Sequence, residues 1–234
     1  MKSLHSLTSH LLVLLLVMPA FLAACSSDSA SETPSITTTD IDGATSVDEE
    51  ALNEVLDSYT PPDDINPDET AGLIYMREEE KLARDVYLYL YAQHGANVFN
   101  NISNSEQTHT DAILALLEKY DIPDPAANNP EGVFTDSYLH GLYDTLIAQG
   151  SASLIDGLIV GAAIEEIDLL DIQHLVDELD GNADIAIVYE NLMKGSRNHL
   201  RAFVSNLDNQ GVVYQPQYLT PEVYDAIVNE GLEN

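Results

Sequence analysis

The chain has 234 residues, with 40 acidic against 8 basic side chains and a formal charge of −32. A surface so negative excludes nucleic acid and anionic lipid headgroups as electrostatic partners, and it suits either a saline medium or the attraction of divalent cations. One cysteine, Cys25, rules out any disulfide within the chain and any cysteine-based zinc or iron–sulfur site.

Lys2 precedes an uncharged apolar run at residues 11–22 that ends in Leu22-Ala23-Ala24-Cys25. The run is short for a membrane span and has the tripartite form of a signal peptide, so residues 1–24 are expected to be removed. Small residues directly before a cysteine resemble the lipobox of bacterial lipoproteins. That resemblance implies export, a Cys25 acylated and tethered to the membrane, and an outer-membrane destination where the cell has one.

Residues 25–65 read as an acidic linker rich in Ser and Thr, disordered from about residue 26 to residue 45, with a short amphipathic helix at residues 47–59 built on Val47, Leu52, Val55 and Leu56. Residues 66–210 form the expected folded domain, and residues 211–234 a C-terminal strap with one last short helix. No stretch alternates long enough to predict a sustained strand.

The first long helix is predicted over residues 67–94, opened by Pro67 and stopped by Gly95. Its apolar seam reads Leu73, Met76, Glu80, Ala83, Tyr87 and Leu90, which makes Glu80 the inward member of the run Glu78-Glu79-Glu80. The second helix carries the seam Phe99, Ile102, Glu106, His109, Ile113, Leu116 and Tyr120. Two polar groups thus stand where packing calls for hydrophobes, and a carboxylate facing a core needs a partner or a metal. A competing reading makes Ser103 and Glu106 a capping box at a helix start.

A Pro- and Asn-rich connection at residues 121–135 leads to a shorter helix at residues 136–149, together forming a long crossover. The third long helix, residues 151–179, has the stripe Ile155, Leu158, Ala162, Glu165, Leu169, Ile172, Val176 and Leu179, with Asp168 one turn beyond Glu165. After Gly181-Asn182, the fourth runs over residues 183–207 with Ile185, Val188, Leu192, His199 and Ala202 or Phe203 inward. Ser196 lies three residues before His199. In an antiparallel arrangement Glu80, Glu106, His109, Glu165 and His199 share one level.

The phrases Glu79-Glu80-Lys81-Leu82-Ala83-Arg84-Asp85-Val86-Tyr87, Glu106-x-x-His109, Glu165-Glu166-Ile167-Asp168 and Ser196-Arg197-Asn198-His199-Leu200-Arg201-Ala202-Phe203 resemble the ferritin and rubrerythrin superfamily, and within it the domain of unknown function 2202. The resemblance implies an all-α, ferritin-like four-helix bundle with a long crossover between its second and third helices. It also implies a metal site of Glu80, Glu106, His109, Glu165 and His199, holding one or two iron ions or manganese, with zinc compatible. Tyr87 is then the candidate redox-active or hydrogen-bonding residue of an iron- or peroxide-linked oxidoreductase. The pattern of four carboxylates and two histidines is incomplete, because Ser196 stands where the fourth acid belongs; Asp168 or water is expected to complete the shell. Arg84 and Arg201 are expected to steady the carboxylates from outside. Rubredoxin-like cysteines are absent. A homodimer is compatible with a tethered chain, a cage is not expected, and a non-enzymatic metal-binding or structural bundle is the competing function.

Overall fold

The computed structural model describes residues 33–59 and 65–234. The expected signal sequence and Cys25 lie outside the described residues. The described residues are all-α apart from one small hairpin, β1 (Thr37–Thr39) and β2 (Thr45–Val47), followed by α1 (Glu49–Ser58), α2 (Pro67–His94), α3 (Asn97–Lys119), α4 (Ser137–Gly150), α5 (Leu154–Asp177), α6 (Ala183–Asn209) and α7 (Pro221–Val228). No described helix is long and apolar enough to cross a membrane.

Local chemistry sets the helix ends. Asn66 caps α2 through the amides of Asp68 and Glu69, Glu69 returns the bond to the Asn66 amide, and Pro67 fills the first turn. Gly95 ends α2 with φ 67°, a left-handed conformation that glycine adopts without steric cost. Helix α3 begins at Asn97, six residues before Ser103, and the Ser103 hydroxyl bonds the carbonyl of Asn100. The capping-box reading of Glu106 is therefore overturned, since a cap cannot lie in the second turn of a helix.

The four long helices pack side by side, each antiparallel to both neighbours. Arg77 of α2 meets Thr110 of α3 while Arg84 meets Gln107, so the chains run in opposite directions. The same reversal holds for α2 with α5, where Tyr75 meets Asp171 and Tyr87 meets Glu165. It holds for α6 with α3 and α5, since Phe203 packs on Phe99 and Gly161 and Gly195 lies against His109. Two apolar layers result. One contains Leu73, Met76, Ile113, Leu116, Ile172 and Leu192, and the other Tyr87, Leu90, Phe99, Ile102, Leu158 and Phe203. The polar residues of the four seams lie between them.

Burial reaches further round α2 than one stripe. Glu78, Glu79 and Glu80 are all buried, so the expectation that only Glu80 turns inward fails. For Glu78 the reason is the crossover, which folds back over α2: Glu78 accepts from the amides of Thr135 and Asp136 at 2.6 and 2.8 Å, and Lys81 pairs with Asp85 while donating to the carbonyls of Pro130 and Val133. Glu166 does the same for the strap, accepting from Tyr214 Oη and from the amides of Gln217, Tyr218 and Leu219. Glu78 and Glu166, near the seam acids Glu80 and Glu165, thus each anchor a loop, and the charge-assisted bonds compensate their burial.

The segment expected as a disordered spacer is also corrected. Residues 36–47 fold into the hairpin, with Ile36 and Thr45 buried. Asp40 stabilises its turn by accepting from the amides of Asp42 and Ala44, and Gly43 takes φ 88°. Helix α1 follows as predicted and buries Leu52 and Val55.

Candidate metal centre

Four helices deliver one polar layer. Glu80 comes from α2, Glu106 and His109 from α3, Glu165 and Asp168 from α5, and Ser196 and His199 from α6, all buried to 94 % or more. Each sits on its helix where the period of 3.6 would otherwise place a hydrophobe, which is why the seam pattern locates them.

Glu106 lies at the middle. Its Oε2 is 2.9 Å from Nδ1 of His109 and its Oε1 2.9 Å from Nδ1 of His199. Glu80 Oε2 is 3.5 Å from Nδ1 of His109, and Glu165 Oε2 is 3.6 Å from Nδ1 of His199. The imidazoles stack with centroids 5.3 Å apart. One ligand atom each from Glu106, His109 and His199 fits within 4.8 Å of the others, the spacing a single cation needs. Both Nδ1 atoms and Glu80 Oε1 are buried without an aligned hydrogen-bond partner. Buried polar atoms are normally paired, so orphaned atoms beside a cluster of this spacing make it a candidate cation site.

No Lys or Arg nitrogen among the described residues pairs with Glu80, Glu106, Glu165 or Asp168. Burial is accordingly felt in their protonation. It pushes Glu80 up to about 8 against the pull of His109, and it raises Glu165 and, more strongly, Asp168. Glu106 is the exception, since the two histidines outweigh burial and hold it well below the usual carboxylate range. Burial opposes charge on the histidines too, but the carboxylates win and take His199 to about 9 and His109 well above its ordinary value.

The remaining predicted residues divide. Tyr87 donates to Glu165 Oε1 at 2.5 Å and so touches the centre. Ser196 donates to Asp168, which places both at the layer with Asp168 facing the hydroxyl. Arg84 does not steady the site: its guanidinium reaches Asp85 and Gln107. Arg201 is two steps removed, donating to Asn198 Oδ1 at 2.8 Å and to Ile227 O. Asn198 in turn donates to Thr45 Oγ1 at 2.9 Å.

Thr45 is the site residue that sequence reasoning missed. Its carbonyl lies 2.8 Å from Nε2 of His109 and its amide donates to Nε2 of His199 at 3.2 Å. The hairpin carrying it is pinned to α3 by the bond from Val47 N to Thr108 Oγ1. A signal was present in Thr37-Thr38-Thr39, Asp42-Gly43 and Thr45-Ser46-Val47, mostly β-branched residues around a turn pair.

A sequence profile of the family described as an uncharacterized protein domain, DUF2202, matches residues 69–231. The chain belongs to this family. The DUF2202 match begins after the hairpin, in the first turn of α2, and runs through the other three long helices. Among relatives, the uncharacterized protein MJ0754 of Methanocaldococcus jannaschii is 51 % identical over 176 residues, covering 75 % of this chain and 95 % of its own. The crystal structure of hypothetical protein MJ0754 superposes with a TM-score of 0.72, covering 75 % of this chain and 99 % of that one.

Proposed function

We propose that this chain is a ferritin-like four-helix bundle whose polar layer holds divalent iron or manganese for oxygen- or peroxide-linked redox chemistry. The observation that carries the reading is the convergence of buried carboxylates and two imidazoles with no Lys or Arg counterion among the described residues and with orphaned Nδ1 atoms. Leaving several such charges in a core unpaired costs several kcal/mol each, and a divalent ion is the partner that oxygen and nitrogen ligands of this kind select. The antiparallel neighbours and the long crossover through α4 support the bundle.

Glu80, Glu106, His109, Glu165 and His199 are the side chains of the layer that offer ligand atoms, with Glu106 reaching both imidazoles. A bound iron or manganese ion would supply the one-electron chemistry. The chain's own work is to orient the ligands, to keep water out with the apolar layers on either side, and to hold a proton at Tyr87 Oη against Glu165. The test is metal content of the full chain, loaded anaerobically with Fe²⁺ or Mn²⁺ and desalted, against a Glu80→Ala, His109→Ala double variant of equal helicity. Retention by the parent alone is expected. Equal retention by both would assign binding to surface acids and leave the buried layer a hydrogen-bond network.

A further inference from the structure

The two backbone groups of one residue, Thr45, treat the two histidines in opposite ways. A carbonyl can only accept, so Nε2 of His109 carries the proton it gives to Thr45 O at 2.8 Å, and the lone pair of neutral His109 is left on Nδ1. That atom faces Glu106 at 2.9 Å and Glu80 at 3.5 Å. An amide N–H can only donate, so Nε2 of His199 must offer a lone pair to Thr45 N at 3.2 Å. The proton of neutral His199 is then on Nδ1, the atom nearest Glu106 and Glu165. A protonated nitrogen is not a ligand. In the neutral form that a cation requires, His109 presents its Nδ1 lone pair to the site, whereas His199 must also move its remaining proton to Nε2 and lose the Thr45 bond.

Thr45 is not free to yield. Its hydroxyl oxygen accepts from Asn198 Nδ2, the same Nδ2 donates to Thr39 Oγ1 and Glu233 O, and Arg201 fixes the Asn198 carbonyl oxygen. The second defect falls on the same helix. Ser196, one turn before His199, puts a hydroxyl bonded to Asp168 where a carboxylate would otherwise complete that half.

We propose that the chain binds one ion tightly, on the half formed by Glu80, Glu106 and His109, and that the Thr45 amide together with Ser196 withholds the half formed by His199. Thr45 is thus a positioning residue, and the hairpin that carries it lies outside the residues matched by the family. The proposal rests on the metal reading above.

The test uses the full chain with Mn²⁺ alone. Parent protein should retain one ion after desalting; His109→Gln should weaken Mn²⁺ by roughly 100-fold or more, and His199→Gln by less than about ten-fold. A second measurement needs no substitution: in Zn²⁺-loaded protein labelled with ¹⁵N-histidine, long-range ¹H–¹⁵N correlation should place the His199 proton on Nδ1 and the His109 proton on Nε2. Two tightly held ions, equal losses in the two variants, or a His199 proton on Nε2 would each overturn the proposal while leaving the metal centre in place. No retention by the parent would instead overturn the metal reading, and this proposal with it.

Discussion

Gly195→Ala probes how tightly the scaffold fixes a ligand. Gly195 lies on α6 directly over the His109 ring, and a Cβ added there would stand 2.6 Å from Cε1 and 2.8 Å from Nε2, against 3.4–4 Å for ordinary contact. The ring must recede by about 0.6 Å or more, yet Nε2 is held by Thr45 O and Nδ1 lies beside Glu106. Metal–ligand distances tolerate only about 0.2 Å, so the displaced Nδ1 should lose roughly 10- to 100-fold in affinity. Stability behaves differently. Alanine in a helix interior gains about 1 kcal/mol over glycine, while forced overpacking costs about 1–3 kcal/mol, giving a net loss of about 0–2 kcal/mol. Mn²⁺ titration by calorimetry and urea denaturation separate the two effects. A Gly195→Ala protein that binds Mn²⁺ as tightly as the parent would refute the reasoning, because the ring would then have room that the structure denies it.

Protonation gives the metal-free protein an unusual stability profile. Glu80 is raised to about 8 and His199 to about 9, so between about pH 6 and 9 the folded state binds more protons than the unfolded chain, and stability should fall as pH rises. The contribution of His199 is complete below its unfolded value near 6.5 and lost as pH passes through about 9. Because a cation must displace those protons, its affinity should rise over the same window; urea midpoints and Mn²⁺ titrations at several pH values check both slopes, and a metal-free protein that gains stability toward pH 9 would contradict them. Tyr87→Phe removes the donor to Glu165 Oε1 and should cost about 1–3 kcal/mol in urea denaturation, a loss that vanishes if Glu165 finds another donor.

The helices were legible because their information is local. Pro67, Gly95, Gly181 and the three-and-four spacing of apolar residues placed all four long helices to within a few residues, and the same spacing picked out Glu80, Glu106, His109, Glu165 and His199. A polar residue inside such a stripe is a contradiction visible in one helix alone, and folding brings these contradictions to one level. What each remaining polar group satisfies is a different kind of fact. Glu78 and Glu166 look like surface acids by sequence, and only the return of distant loops over α2 and α5 buries them. Arg84 has the spacing of a donor to the site but finds Asp85 and Gln107 nearer. Thr45, 154 residues from His199, reads as one more residue of an acidic, Thr-rich stretch. Periodicity records which face of a helix is buried, whereas the partner of a buried donor or acceptor is chosen by whatever backbone the fold carries past it, and that choice belongs to the tertiary structure.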